Sequence, residues 1–169
     1  MRKILAAAGA LSAAAVITGS SLPGASAAAQ HTTAQHTMAR TESFRLVSGV
    51  VSGRGSVVAT GAFTAGGRTN LNTPVGVLHF PHGSVKAFPH ATSTVTQVSR
   101  RTCLMTIVQH GTYRLGRGTG RYVHLTGHGR YVAHILAVLN RTRKGKCSQS
   151  KRPQALQQVI NAHGPVSGV

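Results

Sequence analysis

Residues able to perform acid–base chemistry are scarce in this sequence, because Glu42 is its only acidic residue. Mechanisms that need two carboxylates, such as glycoside hydrolysis, are therefore excluded, and a Ser-His-Asp arrangement would lack its third member. No serine lies in a nucleophile-elbow sequence either. We expect Glu42 at the frayed start of the folded domain. The sequence therefore favours a protein without catalytic residues over an enzyme.

Ten histidines invite a metal-site hypothesis, with His79 and His82 as one group and His124, His128 and His134 as another. On a strand, residues three apart point to opposite faces. No Asp or Glu is available to orient a metal-binding imidazole by accepting a hydrogen bond from its second ring nitrogen. We therefore predict no metal site and no cofactor, and we interpret these histidines as solvated surface or turn residues.

Basic residues dominate the charge, since 19 Lys and Arg against one acid give a formal net charge of +18. Cationic groups without carboxylate partners either stay solvated or contact an anion from elsewhere. The densest cluster lies in RTRKGKCSQSKR, and its predicted polyanion contacts are Arg141, Arg143, Lys144, Lys146, Lys151 and Arg152. The expected partner is an extracellular wall polymer or nucleic acid, although scarce aromatics argue against base stacking. Alternatively, the segment is only a solvated loop held by Cys147.

The N-terminus has the order of a secretory signal peptide. Arg2 and Lys3 precede an apolar, alanine-rich run, and the small residues Ala25 to Ala27 fit a peptidase site. The apolar run is shorter than the roughly 20 residues that a bilayer span needs, which disfavours a membrane anchor. We predict three segments of a secreted, extracellular protein: a signal peptide over 1–27, a flexible leader over 28–42 and one domain over 43–169.

Two cysteines, Cys103 and Cys147, lie in the predicted domain. An oxidising compartment favours one disulfide between them. A metal-binding or catalytic thiol is disfavoured, since the sequence contains no CxxC motif.

From Phe44 onwards, short runs rich in Val, Thr, Leu and Phe are broken by glycine, a pattern typical of strands in a sandwich or barrel. Eight such runs suffice to close an all-β, antiparallel up-and-down barrel, which removes exposed sheet edges. The eight predicted strands are Phe44–Val51, Ser56–Thr64, Pro74–Phe80, Gly83–Phe88, Thr92–Val98, Cys103–Gln109, Gly111–Leu115 and Arg130–Leu139. A hairpin turn is predicted at His82 and Gly83, where glycine would supply a positive φ.

Two segments leave alternatives open. Tyr131 to Leu139 is apolar on both faces and free of glycine, so it fits a buried strand or a short helix, and we favour the strand. In Pro153 to His163, apolar residues at helical spacing follow a proline, so local rules favour a helix.

The stretch from Gly111 to Tyr131, GTYRLGRGTGRYVHLTGHGRY, resembles the glycine-punctuated signature of secreted actinobacterial proteins of the allene oxide cyclase barrel-like group, distant relatives of plant dirigent proteins. The core of the signature is GTY, then GTGRY, then TGxG. The resemblance extends to FRLVSGVV with ATGAFTA, to FPHGSV, to the TC pair at Cys103 and to GKCSQS around Cys147. The terminal QQVINAHGPV resembles the closing strand of that barrel, which implies a strand where local rules favour a helix.

The resemblance also implies where the chain turns. A strand would end at Leu115, a glycine turn would cover 116–120, and a tight reversal at Gly127 and Gly129 would lead into the next strand. The predicted structural glycines are Gly111, Gly118, Gly120, Gly127 and Gly129.

A barrel of about eight strands is either filled by side chains or holds one small ligand. We therefore predict a non-catalytic exported barrel that binds a small apolar ligand in its interior or extracellular polyanions on its basic surface. The alternative that the resemblance implies is an isomerase or cyclase-like enzyme acting on a small hydrophobic substrate inside the barrel.

Overall fold

The computed structural model describes residues 39–49, 53–71 and 74–169. The predicted signal peptide and most of the predicted leader lie outside the described residues. The described ranges contain ten strands and no helix. The strands are β1 (Arg40–Ser48), β2 (Arg54–Gly61), β3 (Ala65–Asn70), β4 (Gly76–Phe80), β5 (Gly83–Val98), β6 (Leu104–Gly120), β7 (Thr126–Val138), β8 (Asn140–Arg141), β9 (Cys147–Ser148) and β10 (Ala155–Ser167).

Eight of the strands close into an antiparallel barrel in the order β1-β10-β7-β6-β5-β4-β3-β2. Neighbours in the barrel follow one another along the chain, except that the short β8–β9 pair lies outside the wall between β7 and β10. The prediction of an all-β, up-and-down barrel of about eight strands is therefore confirmed. Side chains alternate strictly on β1: Phe44 and Leu46 are buried, while Arg45 and Val47 face outward. The strand therefore has one apolar face, which the closed barrel buries.

The number of barrel strands agrees with the prediction, but their identities differ. Two predicted pairs are continuous strands: 83–88 and 92–98 form β5, and 103–109 and 111–115 form β6. β3 is absent from the prediction, because AGGRTN has no apolar alternation, yet it pairs with β2 and β4. The helix that local rules favour over 153–163 is wrong, and the strand implied by the resemblance is present as β10.

The start of the domain also differs from the prediction. β1 begins at Arg40, and it pairs with β10 from that residue onwards. Glu42 is 0% exposed and lies on the inward face of β1. The expectation that Glu42 lies at a frayed terminus is therefore wrong, because pairing with β10 and β2 on both sides fixes this end of the strand.

The predicted glycine turns are wrong in position. β6 continues through 116–120, and the chain reverses after Gly120, whose φ is 57°. Gly111 lies within β6, and Gly127 and Gly129 lie within β7, where cross-strand pairing continues through them. Gly118 also lies within β6, at the irregularity where the pairing with β5 steps from Gly116 to Thr119.

The predicted hairpin between β4 and β5 is present, with Phe80 paired to Gly83 across the turn. His82 has a φ of 68°, so the left-handed residue in this turn is a histidine as well as the glycine that follows it. The predicted disulfide is also confirmed, with Cys103 and Cys147 joined at an S–S distance of 2.00 Å.

Candidate functional site

An aromatic cluster closes one end of the barrel. The ring centroids of Phe63, Phe80 and Tyr122 lie 5.5–5.7 Å apart in pairs. Tyr122 and the fully buried Leu125 come from the turn between β6 and β7, which folds over this end. We call it the aromatic end, and it includes the β4–β5 hairpin.

A cavity of about 210 Å³ lies in the barrel interior away from the aromatic end. Its wall is mainly apolar, with contributions from β1, β4, β5, β6, β7 and β10. The apolar lining includes Phe44, Leu46, Leu78, Leu115, Ile160 and Ala162. Four lining residues carry polar groups: Tyr113, Tyr131, Gln109 and Gln158. The arrangement of an apolar wall with a few inward polar groups is typical of small-molecule sites.

Two G-x-Y segments on neighbouring strands position the tyrosines. The register pairs Gly111 with Tyr131 and Tyr113 with Gly129. A Cβ at Gly129 would lie 2.8 Å from Cε1 of Tyr113, and one at Gly111 would lie 2.5 Å from Cε1 of Tyr131. Each ring therefore covers the glycine opposite it, an arrangement that stabilises glycine within a strand and fixes the direction of the ring. The sequence signal for the site is thus the repeated G-x-Y.

The two tyrosine hydroxyls differ in their partners. The hydroxyl of Tyr131 donates a hydrogen bond of 3.0 Å to Oε1 of Gln109. The hydroxyl of Tyr113 is buried and has no hydrogen-bond partner among the described residues. Burial and then the nearby charge of Glu42 raise the pKa of Tyr113 to about 12, so this phenol stays protonated at any physiological pH. Tyr113 thus carries an unused buried donor.

Glu42 lies further toward the aromatic end, inside the same barrel. Its Oε2 accepts a hydrogen bond of 3.0 Å from the backbone N–H of Phe63, and its Oε1 has no partner in the described part of the chain. Burial raises the pKa of the Glu42 carboxyl, although backbone hydrogen bonds partly oppose the shift. Inward-facing Gly164 is paired with Glu42 and packs beside Gly129, so no side chain from these positions separates Glu42 from Tyr113.

Basic residues are concentrated at the end opposite the aromatic end, where β5 turns into β6 and where β7 connects to β10. All six predicted polyanion contacts are exposed and lie on the β7–β10 connection. Sequence reasoning missed Arg100 and Arg101, which lie on the β5–β6 turn and are also exposed. We call the eight residues the basic cap: Arg100, Arg101, Arg141, Arg143, Lys144, Lys146, Lys151 and Arg152.

The histidines of the described ranges do not assemble into a site. His79, His82, His124, His128 and His134 are all exposed. Within 39–49, 53–71 and 74–169, no three His, Cys, Asp or Glu side chains come close enough to share a metal ion.

Comparison of the chain with protein-family models, curated proteins and solved structures finds no match. The resemblance to allene oxide cyclase-like barrels therefore stays a prediction. No helix in the described ranges has the length and hydropathy to cross a bilayer.

Proposed function

We propose that this protein binds a small, mainly apolar molecule inside the barrel, and that the molecule accepts a hydrogen bond from Tyr113. The observation that carries the proposal is the buried Tyr113 hydroxyl, which has no partner among the described residues and belongs to a residue lining an apolar cavity. A buried donor without an acceptor costs about 1–3 kcal/mol, so a ligand that supplies the acceptor removes this penalty.

The cavity limits the size of the ligand. Its volume is about 210 Å³, and an apolar cavity of roughly 150 Å³ is known to bind benzene. A single ring or a short branched chain with one carbonyl, ether or hydroxyl oxygen fits these limits. A long acyl chain does not fit within this volume.

The test uses matched pairs of ligands. Cyclohexanone and methylcyclohexane are similar in size, but only the ketone accepts a hydrogen bond. Because the hydrocarbon is the more hydrophobic of the two, the hydrogen bond is measured as the effect of Tyr113→Phe on each ligand. In NMR titrations we expect this substitution to weaken ketone binding about 2- to 10-fold, which corresponds to about 0.5–1.5 kcal/mol, and not to weaken hydrocarbon binding. Equal changes for the two ligands in Tyr113→Phe would show that the Tyr113 hydroxyl does not recognise the ligand.

A pair of variants tests whether the ligand binds inside the barrel. Ala162→Leu adds three carbon atoms to the wall of the cavity, whereas Val58→Leu enlarges an exposed side chain on the outer surface. Binding should be lost in the first variant and kept in the second. Unchanged binding in Ala162→Leu, provided that it folds, would contradict a site inside the barrel.

The burial of Glu42 favours an isomerase as a second candidate function. A carboxylate whose pKa is raised by burial is a stronger base than an ordinary glutamate, and this one shares the barrel interior with Tyr113. Mass spectrometry of protein purified from culture medium would identify a bound molecule. Conversion of that molecule to an isomer of equal mass by the wild type, but not by Glu42→Gln, would support catalysis. Unaltered recovery from both proteins would support binding alone.

A further inference from the structure

We propose that the basic cap is a docking surface for a linear phosphodiester polymer, contacted through its backbone phosphates, and that the disulfide assembles the surface from two separate loops. The proposal does not depend on the cavity ligand. It adds Arg100 and Arg101 to the predicted contacts and gives Cys103–Cys147 a role in binding.

The two loops of the cap are held together at several points. The disulfide joins Cys103 at the end of the β5–β6 turn to Cys147 on β9, with a Cα–Cα distance of 5.3 Å. The Cys147 sulfur lies 3.6 Å from the carbonyl oxygen of Arg100. Arg141 donates to the carbonyl oxygen of Arg101 from the other loop, and at 2.8 Å to that of Gly145. A groove lined by Arg100, Lys146 and other residues lies at this junction.

The β7–β10 connection is itself ordered. The backbone of Thr142 and Lys146 is joined by a hydrogen bond of 2.8 Å, and the Thr142 hydroxyl accepts a second bond of 3.1 Å from the Lys146 N–H. Asn140 donates at 2.6 Å to the carbonyl oxygen of Arg152. These contacts, together with the disulfide, fix the backbone that carries the cations of the cap.

No side-chain carboxylate neutralises the cap. Glu42, the only acidic residue of the sequence, is buried in the barrel toward the aromatic end. Arg141 is engaged by carbonyl oxygens, but the other seven side chains make no hydrogen bond to any described residue. Seven exposed cations within two adjoining loops therefore remain available to an external polyanion.

The composition of the cap favours phosphate over other recognition chemistry. Five of the eight residues are arginines, whose planar guanidinium groups match phosphate oxygens in bidentate geometry. Neither loop contains an aromatic residue over 99–103 or 139–154. Recognition of single strands depends largely on aromatic stacking, so the cap is suited to contact the backbone and not the bases.

The test measures binding to duplex DNA as a function of salt concentration, because a duplex presents its backbone and shields its bases. Each phosphate contact contributes a slope of about −0.9 to the plot of log K against log salt. We expect Arg100→Ala/Arg101→Ala to make the slope shallower by about 2 units. The matched control is Arg45→Ala/Arg130→Ala, which removes the same charge from exposed positions on the barrel wall. Equal changes of the salt slope in the two variants would overturn the placement of the phosphate contacts on the basic cap.

Competitors define the partner. Displacement of the duplex by poly(glycerol phosphate) would support phosphodiester chemistry with a wall polymer as the source, and failure of that polymer to compete would support nucleic acid. Tight binding to heparin without binding to the duplex would overturn the phosphodiester proposal. Single-stranded DNA bound much more tightly than the duplex would also overturn it, because bases would then be read.

The role of the disulfide is tested with Cys103→Ser/Cys147→Ser, which keeps every cation. We expect a shallower salt slope and weaker binding in this variant at a temperature where circular dichroism shows the barrel intact. Wild-type binding by the intact variant would overturn the role of the disulfide. If the variant does not fold, the same comparison is made by mild reduction of the wild type, with circular dichroism again as the control.

Discussion

Replacing Tyr113 by Phe tests the central feature of the cavity, a buried hydroxyl with no partner in the described part of the chain. The matched change is Tyr131→Phe, because the Tyr131 hydroxyl donates to Gln109 at 3.0 Å. Both substitutions remove one oxygen atom and keep a ring that covers a glycine on the adjacent strand. The two variants should therefore change stability in opposite directions.

The magnitude for Tyr113→Phe follows from two terms. Removing a buried, unpartnered hydroxyl relieves a desolvation penalty of about 1–3 kcal/mol. The void left by one oxygen atom, roughly 12 Å³, costs only about 0.3 kcal/mol at about 24 cal/mol per Å³. The variant should gain about 0.7–2.7 kcal/mol in its free energy of unfolding. Tyr131→Phe loses a made hydrogen bond and should lose about 0.5–1.5 kcal/mol.

The assay is thermal and urea unfolding of the ligand-free proteins. For a domain of this size, 1 kcal/mol corresponds to roughly 3–5 °C in Tm. We expect Tm to rise in Tyr113→Phe and to fall in Tyr131→Phe, while ketone binding weakens in Tyr113→Phe. A loss of stability in Tyr113→Phe comparable to that in Tyr131→Phe would refute the reasoning, because it would show that the Tyr113 hydroxyl is already paired in the ligand-free protein.

Three further predictions concern Glu42, two glycines of the barrel strands, and the disulfide. Burial raises the folded-state pKa of Glu42 above its ordinary value of 4.5, so its contribution to stability is fully present below pH 4.5 and is lost as the pH rises through the folded-state pKa. The free energy of unfolding of the wild type minus that of Glu42→Gln should therefore fall over this window. A difference that rises with pH would contradict the burial. The methyl group of Gly129→Ala would collide with the ring of Tyr113 and with a carbonyl oxygen of β10, whereas a methyl group at Gly116 would have no neighbour within 4 Å. Urea unfolding should therefore show a free energy of unfolding lowered by about 1–3 kcal/mol in Gly129→Ala and little changed in Gly116→Ala. Cys103→Ser/Cys147→Ser should lower the free energy of unfolding by about 2–5 kcal/mol relative to the oxidised wild type, and no difference would mean that the bridge does not restrict the unfolded chain.

The sequence predicts the class of fold because alternation and glycine punctuation are local signals, but it misplaces several strands. The prediction divides β5 between Phe88 and Thr92, a gap that contains Pro89, and proline normally interrupts a strand. Beyond Ala87 this strand pairs only with β6 in the described ranges, and an edge strand tolerates proline. β10 is ambiguous in the sequence because Leu156, Val159 and Ile160 have helical spacing, and pairing with β1 and β7 on both sides outweighs that local preference.

Glu42 shows a different kind of error. It precedes the first long apolar run, and a lone acid in a basic protein is normally solvated, so its sequence position predicts exposure. The structure places it on the inward face of β1, in the same alternation as Phe44 and Leu46. Extending that alternation two residues toward the N-terminus would have predicted its burial. Because an acidic residue does not look like part of an apolar alternation, sequence reasoning missed the one carboxyl group of the barrel interior.

The glycines of the G-x-Y segments explain why the candidate site is visible in the sequence but is easily assigned to turns. Glycine within a strand is destabilising unless something requires the missing side chain, so sequence reasoning interprets each glycine as a bend. Here the requirement is a ring on the opposite strand: Tyr113 over Gly129 and Tyr131 over Gly111. Because the two segments run antiparallel, one register satisfies both contacts, and a shift by one residue would place both tyrosines on the outer face. The same glycines that weaken the strands locally therefore fix the register of β6 and β7 and direct the two phenols into the barrel.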